Sequence, residues 1–478
     1  MCTPTPAASG RGRVRLNVGG RVFETTASTL AAAGRDTMLG AMIDTSWNST
    51  PHSPAGPAEY FIDRDPSSFA VLLDLLRTGA LHVPPGLPEP TLYREALYYG
   101  LLDRVRAARM GCFDGDRLRL SASVPGRAAG DPTAVRAAPD GGCCVAHGGA
   151  VVRVYNWMLE ERRPVYSLSH APVNDAAYLD AATLLLAARD QPSGRRGGED
   201  GGGGGVAAFS ALTGEPRHRF RVAHGNQRRS FTAGALAVDA AGSSTRVFAS
   251  CKGRLNEYGV AVWDASTGEQ AGFFYEPPGC ALGDAERLQC LDGTSSTLMV
   301  ATMFPRADAS SVALLDFRDR SIAWSWSEAG TPASLEEKRA VDAVAMEDGR
   351  TVCVVNQYDD LGFLDIRKSG AAGSVRWRSR SKLLAAMVGG GKKKKEKGGG
   401  EETCYPKLAA HGGQLFASTG DAISVFSGPD YVLTSTLRGG GGDGGAICDF
   451  SIGGDRLFVL HSEENVFDVW ETPPLPII

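Results

Sequence analysis

Apolar and polar residues alternate from the thirteenth residue of the chain onward. Val14, Leu16 and Val18 are separated by polar residues, which is the period of a strand with one buried face. A glycine pair follows at 19–20, and it suits a two-residue hairpin because both positions need a positive φ. The pattern therefore predicts a β-hairpin over residues 13–26.

The period changes to that of a helix over residues 66–79. Phe69 and the three leucines after it fall at spacings of three and four, which forms one apolar helix face. Asp65 is a suitable N-cap, and Pro66 fits the first helical position because its missing N–H has no partner there. Two more helical patterns lie within 90–110, so the first hundred residues are predicted to form a small α/β unit.

A different pattern recurs seven times after residue 140. Each instance has alternating apolar residues, then one large apolar residue, then a small or acidic one. The large residues lie roughly 50 positions apart, at Tyr155, Phe209, Trp263, Leu315, Leu364, Phe426 and Trp470. A second strand signal precedes most of them by about ten residues. A period near 50 with paired strands is typical of a β-propeller, so we expect about seven blades.

Composition supports this fold class and excludes several others. Glycine accounts for 60 of the 478 residues, against a usual share of about 7%, and indicates many tight turns. An apolar share of 43% excludes wholesale disorder, and a net charge of −4 gives no footprint for a dedicated nucleic-acid binder.

Targeting signals and cysteine usage point to the cytoplasm, the nucleus or both. We find no secretory signal and no apolar run of the length needed to cross a membrane. The ten cysteines are scattered without a C-x-x-C pair, which favours reduced, mostly buried thiols.

The composition along the chain predicts four segments: a disordered tail, an α/β domain, a linker and a propeller, over residues 1–12, 13–112, 113–140 and 141–473. Two glycine-rich insertions near 190–205 and 389–402 are expected to be flexible loops. The second contains a lysine run at 392–397, which is either a solvated loop or a signal for nuclear import or an acidic partner.

Several motifs in order resemble the BTB/POZ domain of the potassium-channel-tetramerisation (T1) subtype. They are Leu16-Asn-Val-Gly-Gly20, Phe23-Glu-Thr-Thr26, Ser28-Thr-Leu30, Tyr60-Phe-Ile-Asp-Arg-Asp-Pro66 and Leu76-Arg-Thr-Gly79. Farther along, Val260-Ala-Val-Trp-Asp264 resembles a WD40 repeat. The whole chain resembles plant BTB/POZ domain-containing proteins, which implies a multidomain fold: an N-terminal α/β BTB/POZ (T1-like) domain followed by an all-β propeller of about seven WD40-like blades.

The resemblance implies that the first domain self-associates, as a tetramer or pentamer. It suggests polar contacts between subunits through Asp63, Arg64, Asp65 and Arg77. The three consecutive residues of this set could equally be a helix cap with solvated charges.

The resemblance also implies a cullin-3-type scaffold as partner. The helices and loops after the first hairpin would contact it, which here means roughly residues 38–47 and the 81–88 loop. The candidate contacts are Met38, Leu39, Met42 and Trp47. Trp47 lies in a polar loop and is either buried or an exposed anchor for a partner.

We find no motif for catalysis, no metal site and no cofactor site. No paired histidines and no nucleophile motif occur at the required spacing, so we expect no enzyme activity. Zinc between T1 domains would need a histidine beside Cys112 or Cys143-Cys144, and none lies between Val83 and Ala146, so no zinc is predicted.

Two functions remain open at this point. In the first, the chain is a substrate adaptor of a cullin-3-type ubiquitin ligase, with the propeller holding an unknown protein substrate. In the second, it is an oligomeric scaffold without a ligase, in which the propeller binds a partner protein. Neither a membrane nor a nucleic acid is an expected partner.

Overall fold

The chain folds as two units that separate between Cys112 and Phe113; residues 473 and 474 belong with the first. This computed structural model describes residues 13–35, 37–42, 59–125, 132–190, 204–224, 227–240, 244–253, 258–276, 282–291, 297–328, 339–368, 375–378, 404–439, 445–462 and 466–474. The predicted tail at 1–12, Trp47, the lysine run and the whole of 389–402 lie outside the described residues, as does most of 190–205.

The described residues of the first unit form five helices that pack against a three-stranded sheet. The strands are β1 (Arg13–Val18), β2 (Arg21–Thr26) and β3 (Glu59–Ile62), in the order β2-β1-β3 with β3 parallel to β1. The helices are α1 (Ala27–Ala31), α2 (Met38–Ala41), α3 (Pro66–Thr78), α4 (Glu89–Tyr98) and α5 (Leu102–Arg109). The predicted hairpin and the three predicted helices are thereby confirmed.

Phe69 lies at the centre of this unit's core. Its side chain is fully buried, which contributes about 2 kcal/mol to the free energy of unfolding. The Phe69 ring centre is 5.0 Å from that of Phe23 and 5.1 Å from that of Tyr99. Helix α3 is thus held between the sheet and the residue that follows α4.

The glycine pair of the hairpin fixes the first strand to the third. Gly19 and Gly20 have φ angles of +54° and +88°. The Gly19 N–H donates to the carbonyl of Ile62 at 2.9 Å. A Cβ on Gly19 would lie 2.4 Å from the carbonyl oxygen of Arg64, so the turn needs glycine for close approach as well as for φ.

The second unit begins with β4 (Arg119–Pro125) and then forms six consecutive four-stranded meanders. Blade 1 consists of β5 (Pro132–Ala137), β6 (Cys143–His147), β7 (Val151–Tyr155) and β8 (Val165–Tyr166), and blade 2 of β9 (Val173–Asp180), β10 (Thr183–Ala188), β11 (Gly205–Ser210) and β12 (Pro216–Phe220). A small separate hairpin follows, formed by β13 (Val222–His224) and β14 (Gln227–Arg229). Blade 3 consists of β15 (Phe231–Asp239), β16 (Arg246–Gly253), β17 (Tyr258–Asp264) and β18 (Gln270–Glu276).

Blades 4 to 6 continue the same meander. They are β19 (Arg287–Cys290), β20 (Thr297–Thr302), β21 (Ser311–Asp316) and β22 (Ser321–Ser327); β23 (Ala340–Ala345), β24 (Thr351–Asn356), β25 (Leu361–Asp365) and β26 (Arg376–Arg378); and β27 (Leu408–His411), β28 (Gln414–Thr419), β29 (Ala422–Ser427) and β30 (Val432–Arg438). Single 3₁₀ turns lie at Leu168–His170 and Leu282–Asp284.

Blade 7 is completed by the first strand of the unit. Its strands β31 (Ile447–Gly453), β32 (Arg456–His461) and β33 (Val466–Glu471) pair in order, and β4 pairs with β33 as the fourth. The first strand of each blade is its innermost strand. Each innermost strand contacts that of the next blade, and β31 of blade 7 contacts β5 of blade 1, so the ring closes. The described residues therefore form seven blades, as the repeat predicted.

Large side chains between neighbouring blades make the core. The seven recurring large residues all lie on the third strand of a blade and are all buried. Trp263, for example, is fully buried in a cluster shared by blades 2 and 3. A blade alone could not bury such residues, which is why the repeat needs a closed ring.

The linker predicted at 113–140 is wrong. This segment holds β4 and β5, and Leu118 just before β4 is buried in the cluster between blades 6 and 7. The prediction failed because an outermost strand buries little and an innermost strand is rich in small residues. Arg119–Pro125 has no fully buried position, so its apolar signal is weak.

Candidate interaction surfaces

The Asp63-Arg64-Asp65 segment turns the chain from β3 into α3. Asp65 caps α3, since its Oδ2 accepts the N–H of Ser68 at 2.7 Å, and hydrogen bonds from Ser68 hold the pKa of Asp65 below its ordinary value. The Arg64 Nε lies 3.2 Å from Oε2 of Glu95, and its guanidinium lies 4.0 Å from the ring centre of Tyr98. Arg64 and Asp65 therefore first serve the unit's own fold.

The other two predicted interface residues lie at the surface. Asp63 is exposed. Arg77 is exposed as well, and its Nη2 donates to the backbone carbonyl of Glu24 at 2.7 Å, which ties the end of α3 to β2. Their role between subunits stays a prediction.

An exposed apolar pair on the sheet escaped the sequence reasoning. Asn17 is the register partner of both Val22 and Phe61, so these two side chains lie on the same face on either side of it. Phe61 is 68% exposed and Val22 is 51% exposed. We call Val22, Asn17 and Phe61 the sheet-face patch. Together they give one face of the sheet an exposed apolar surface.

The signal for Phe61 was present in the sequence. Strand β3 carries three consecutive large apolar residues, Tyr60, Phe61 and Ile62, and a strand with one buried face needs only alternate ones. The third is buried and Phe61 points to the opposite face.

One of the predicted cullin contacts is wrong. Leu39 is fully buried, so its side chain belongs to the core of the unit and cannot reach a partner. Met38 and Met42 are half-buried and lie one helical turn apart, so part of each residue lies at the surface.

In the propeller, three aspartates join the innermost strand of one blade to the next. Asp175, Asp342 and Asp449 are each the third residue of an innermost strand, and each follows an irregularity in the strand register. Their carboxylates accept the backbone N–H groups of Leu236, Leu408 and Val135, at 2.9, 2.7 and 3.0 Å. The bulge aims each carboxylate across the gap between blades.

Arginine side chains complete these joints. The Arg136 guanidinium on β5 lies 2.7 Å from Asp175 and 2.5 Å from Asp449, so it joins blade 1 to both neighbours. Burial alone would lower the pKa of Arg136, but the two carboxylates raise it above its ordinary value. Arg287 pairs with Asp342 at 3.0 Å in the same manner. The third-position aspartate was a readable signal that the repeat analysis missed.

A buried polar cluster lies where β4 closes the ring. Ser123 on β4 donates to Asp468 on β33 at 2.5 Å, and the Nε2 of His461 lies 3.2 Å from the same carboxylate. Burial raises the pKa of Asp468, but the hydrogen bonds with His461 and Ser123 lower it by more, so the pKa lies below its ordinary value. The first contact joins β4 to β33, and the second joins β33 to β32.

The sequence predicts neither a metal site nor a membrane span for the residues that the structure describes. Among those residues, no three histidine, cysteine or acidic side chains group as metal ligands, and no helix is long and apolar enough to cross a membrane. Burial raises the pKa of the thiol of Cys144 to about 12, as expected for a structural cysteine.

Comparison with known proteins accounts for both units. A BTB/POZ domain profile matches residues 14–108, and the profile described as At2g24240-like, C-terminal beta propeller, matches residues 126–472. The chain belongs to the At2g24240-like family. The first unit is a BTB/POZ domain, and the resemblance inferred from the motifs is confirmed.

Two plant relatives match this family member along nearly its whole length. The BTB/POZ domain-containing protein At2g24240 of Arabidopsis thaliana is 56% identical over 98% of this chain and 99% of its own. At4g30940 of the same plant is 54% identical over the same shares. The SH3KBP1-binding protein 1 of Rattus norvegicus is 37% identical over 22% of this chain and 15% of its own.

Proposed function

We propose that this protein is a substrate adaptor of a cullin-3-type ubiquitin ligase. Its BTB domain binds the cullin and self-associates as a tetramer or pentamer, and its propeller recruits a protein substrate for ubiquitination. The observation that carries the proposal is the presence, on one chain, of a T1-type BTB domain and a closed seven-bladed propeller. This architecture suits an adaptor or a scaffold.

The sheet-face patch supports self-association of the BTB domain. Phe61 and Val22 lie on either side of Asn17, each more than half exposed, and the neighbouring subunits of a ring would cover such a surface. A ring also multiplies the number of propellers that hold one substrate assembly.

Phe61→Asp is expected to break the oligomer. A charge at the centre of an apolar contact costs several kcal/mol of binding free energy, whereas the monomer loses little because this side chain is 68% exposed. Light scattering on the full chain at about 20 µM should show a monomer or dimer for the variant. Val432→Asp, at an exposed propeller residue, is the matched control. Should both variants keep the wild-type mass, the patch is not the interface.

The ligase is tested by titrating the full chain with the N-terminal domain of a cullin-3-type scaffold. We expect binding below about 1 µM, weakened at least tenfold by Met42→Asp, while Met42→Leu binds like wild type. An oligomer that does not bind the cullin would refute the ligase and leave the scaffold.

A scaffold without a cullin is the second candidate. One observation favours it: a relative of part of this chain is named as a binding protein of SH3KBP1, which describes a partner rather than a ligase. Loss of Leu39 from the cullin contacts also weakens the first candidate.

We further propose that the chain has no catalytic activity of its own, no cofactor, and no membrane or nucleic-acid partner. It would act in the cytoplasm, the nucleus or both. A fluorescent fusion imaged in plant cells tests the location, and a signal confined to vesicles or the cell surface would refute it.

A further inference from the structure

Aromatic and cationic side chains meet on three connections of the propeller. We call Phe304, Arg306, Arg339, Tyr405 and Lys407 the blade 4–6 cluster. Phe304 and Arg306 follow β20 in blade 4, Arg339 comes directly before β23 in blade 5, and the other two come just before β27 in blade 6. Each of the five is partly or fully exposed.

Contacts show that the three connections lie at the same end of the propeller. The guanidinium carbon of Arg339 is 5.3 Å from the ring centre of Phe304. The Phe304 and Tyr405 ring centres are 5.9 Å apart in an edge-to-face arrangement. One continuous surface therefore runs from blade 4 across blade 5 to blade 6.

The cations of this surface are not neutralised equally. Arg306 pairs with Glu286 at 3.1 Å. Among the described residues, Arg339 and Lys407 form no direct ion pair, although the charge of Lys407 acts on Glu286 and that of Arg339 acts on Glu328. Arg339 thus lies over an aromatic ring, and two of the three cations lack a direct ion pair.

The nearby acids are already engaged. Glu286 holds Arg306, and Glu328 accepts the N–H of Ala340 at 2.9 Å. Burial raises the pKa of both carboxyl groups. Glu286 also faces Lys407, and Glu328 also faces Arg339, but neither carboxylate makes a direct ion pair with that cation, and an incoming carboxylate would make one.

We propose that the blade 4–6 cluster binds an acidic segment of the partner protein, one in which an apolar side chain is flanked by carboxylates. The apolar side chain packs on Phe304 and Tyr405, and the carboxylates pair with Arg339 and Lys407. Aromatic and arginine side chains are the usual anchors of such contacts. The proposal rests on the proposed function, in which the propeller holds a partner protein.

A protein segment fits this surface better than a nucleic acid. Stacking of bases needs open aromatic faces, but Arg339 lies over the face of Phe304, and the edge of one ring meets the other. The net charge of −4 also disfavours binding to a polyanionic backbone.

Selection from a random peptide library displayed on phage tests the proposal with the full chain as bait. We expect the selected peptides to be enriched in Asp and Glu next to Phe, Leu or Met. Synthetic copies of them should bind at least tenfold more weakly to the double variant Arg339→Glu, Lys407→Glu, and more weakly at 500 than at 50 mM salt.

The control double variant reverses two charges elsewhere on the propeller. Arg318 and Arg350 are exposed in turns of blades 4 and 5, and their change to Glu should leave peptide binding unchanged. If the first double variant does not fold, Arg339→Gln with Lys407→Gln replaces it, with an expected loss of at least fivefold.

Three results would overturn the proposal. The first is a selection that yields no peptides or peptides without acidic enrichment. The second is equal loss of binding in both double variants. The third is binding of a labelled oligouridine that Arg339→Glu, Lys407→Glu abolishes while peptides do not bind, which would assign the surface to nucleic acid.

The cullin titration on the same preparation separates this inference from the proposed function. Cullin binding without acidic peptide selection would refute the cluster's role alone. Acidic peptide selection without cullin binding would refute the ligase and leave the cluster as the partner site of a scaffold.

Discussion

At the scale of single residues, two kinds of positions carry the fold: glycines that allow close approach and aspartates that satisfy backbone groups. Gly19 lies against the carbonyl of Arg64, and Asp65 caps the helix that begins there. The two most recognisable BTB motifs, at 16–20 and 60–66, are therefore in contact. Their residue types follow from local geometry, without any reference to a partner.

Gly19→Ala is expected to destabilise the BTB domain by about 1–3 kcal/mol, because Ala is strained at φ +54° and its Cβ would overlap the Arg64 carbonyl. Gly20→Ala is the matched control, since its φ is also positive but no atom lies within 4 Å of its Cβ. Scanning calorimetry should show a larger fall of the melting temperature for Gly19→Ala. Equal falls would mean that the contact adds no cost.

At the scale of elements, the propeller depends on joints between neighbouring blades. The apolar clusters supply area, and the aspartates on the bulged innermost strands satisfy N–H groups that face a gap. An unsatisfied buried group costs about 1–3 kcal/mol, so the loss of one joint would remove a sizeable part of the protein's free energy of unfolding.

Arg136→Ala should lower the free energy of unfolding by about 2–3 kcal/mol, because Asp175 and Asp449 lose their shared cation. The estimate is reduced from the full cost of a buried pair because the side chain of Arg136 is 32% exposed. Arg318→Ala, whose side chain is 71% exposed, should leave the unfolding midpoint nearly unchanged. Urea unfolding followed by tryptophan fluorescence makes the comparison, and similar midpoints for the two variants would contradict it.

The cluster at the closure of the ring should depend on pH. The pKa of Asp468 in the folded protein lies below its ordinary value, so its contribution is complete above the unfolded value of about 3.9 and is lost as the pH falls through the lower folded value. Asp468→Asn should cost about 1–2 kcal/mol at pH 7, and the difference from wild type should shrink below pH 4.

Urea unfolding of the wild type and of Asp468→Asn between pH 3 and pH 7 measures this difference. Asp421→Asn, at an exposed turn, should follow the wild type at every pH. A difference that persists unchanged at pH 3 would show that the carboxylate's charge is not what stabilises β4.

At the scale of the whole molecule, the chain between the BTB core and blade 1 is part of the propeller. Asp114 and Asp116 hydrogen-bond with Gln414 of blade 6, and the N–H of Asp114 donates to Thr472 at 3.0 Å. The ring is therefore closed by residues that follow Cys112 almost directly. A fragment that lacks the BTB domain must therefore keep the residues from Phe113 onward.

Two truncations test the closure. A fragment of residues 113–472 keeps β4 and should be monomeric with a cooperative unfolding transition. A fragment of residues 132–472 lacks β4, exposes the edge of β33, and should aggregate or melt at lower temperature. Size-exclusion chromatography and calorimetry compare them, and equal behaviour would mean that the fourth strand of blade 7 is dispensable.

Local structure and the number of blades can be inferred from the residue pattern alone. The Gly19–Gly20 hairpin, the capped helix α3 and the seven large third-strand residues follow from periods and turn chemistry, which act between near neighbours. The motifs for BTB and for the propeller are local as well, and this is why the family could be inferred.

The segment that closes the ring and the side chains that face outward follow instead from contacts between distant parts of the chain. Strand β4 has a weak apolar pattern because it is the outermost strand of its blade and β33 buries little of it. Its partner lies more than 300 residues away, so no local pattern predicts the pairing. Leu39 and Phe61 are both large and apolar, yet one is buried and the other exposed. The blade 4–6 cluster forms only where three distant connections meet, since such contacts depend on the closed ring and leave no period in the sequence.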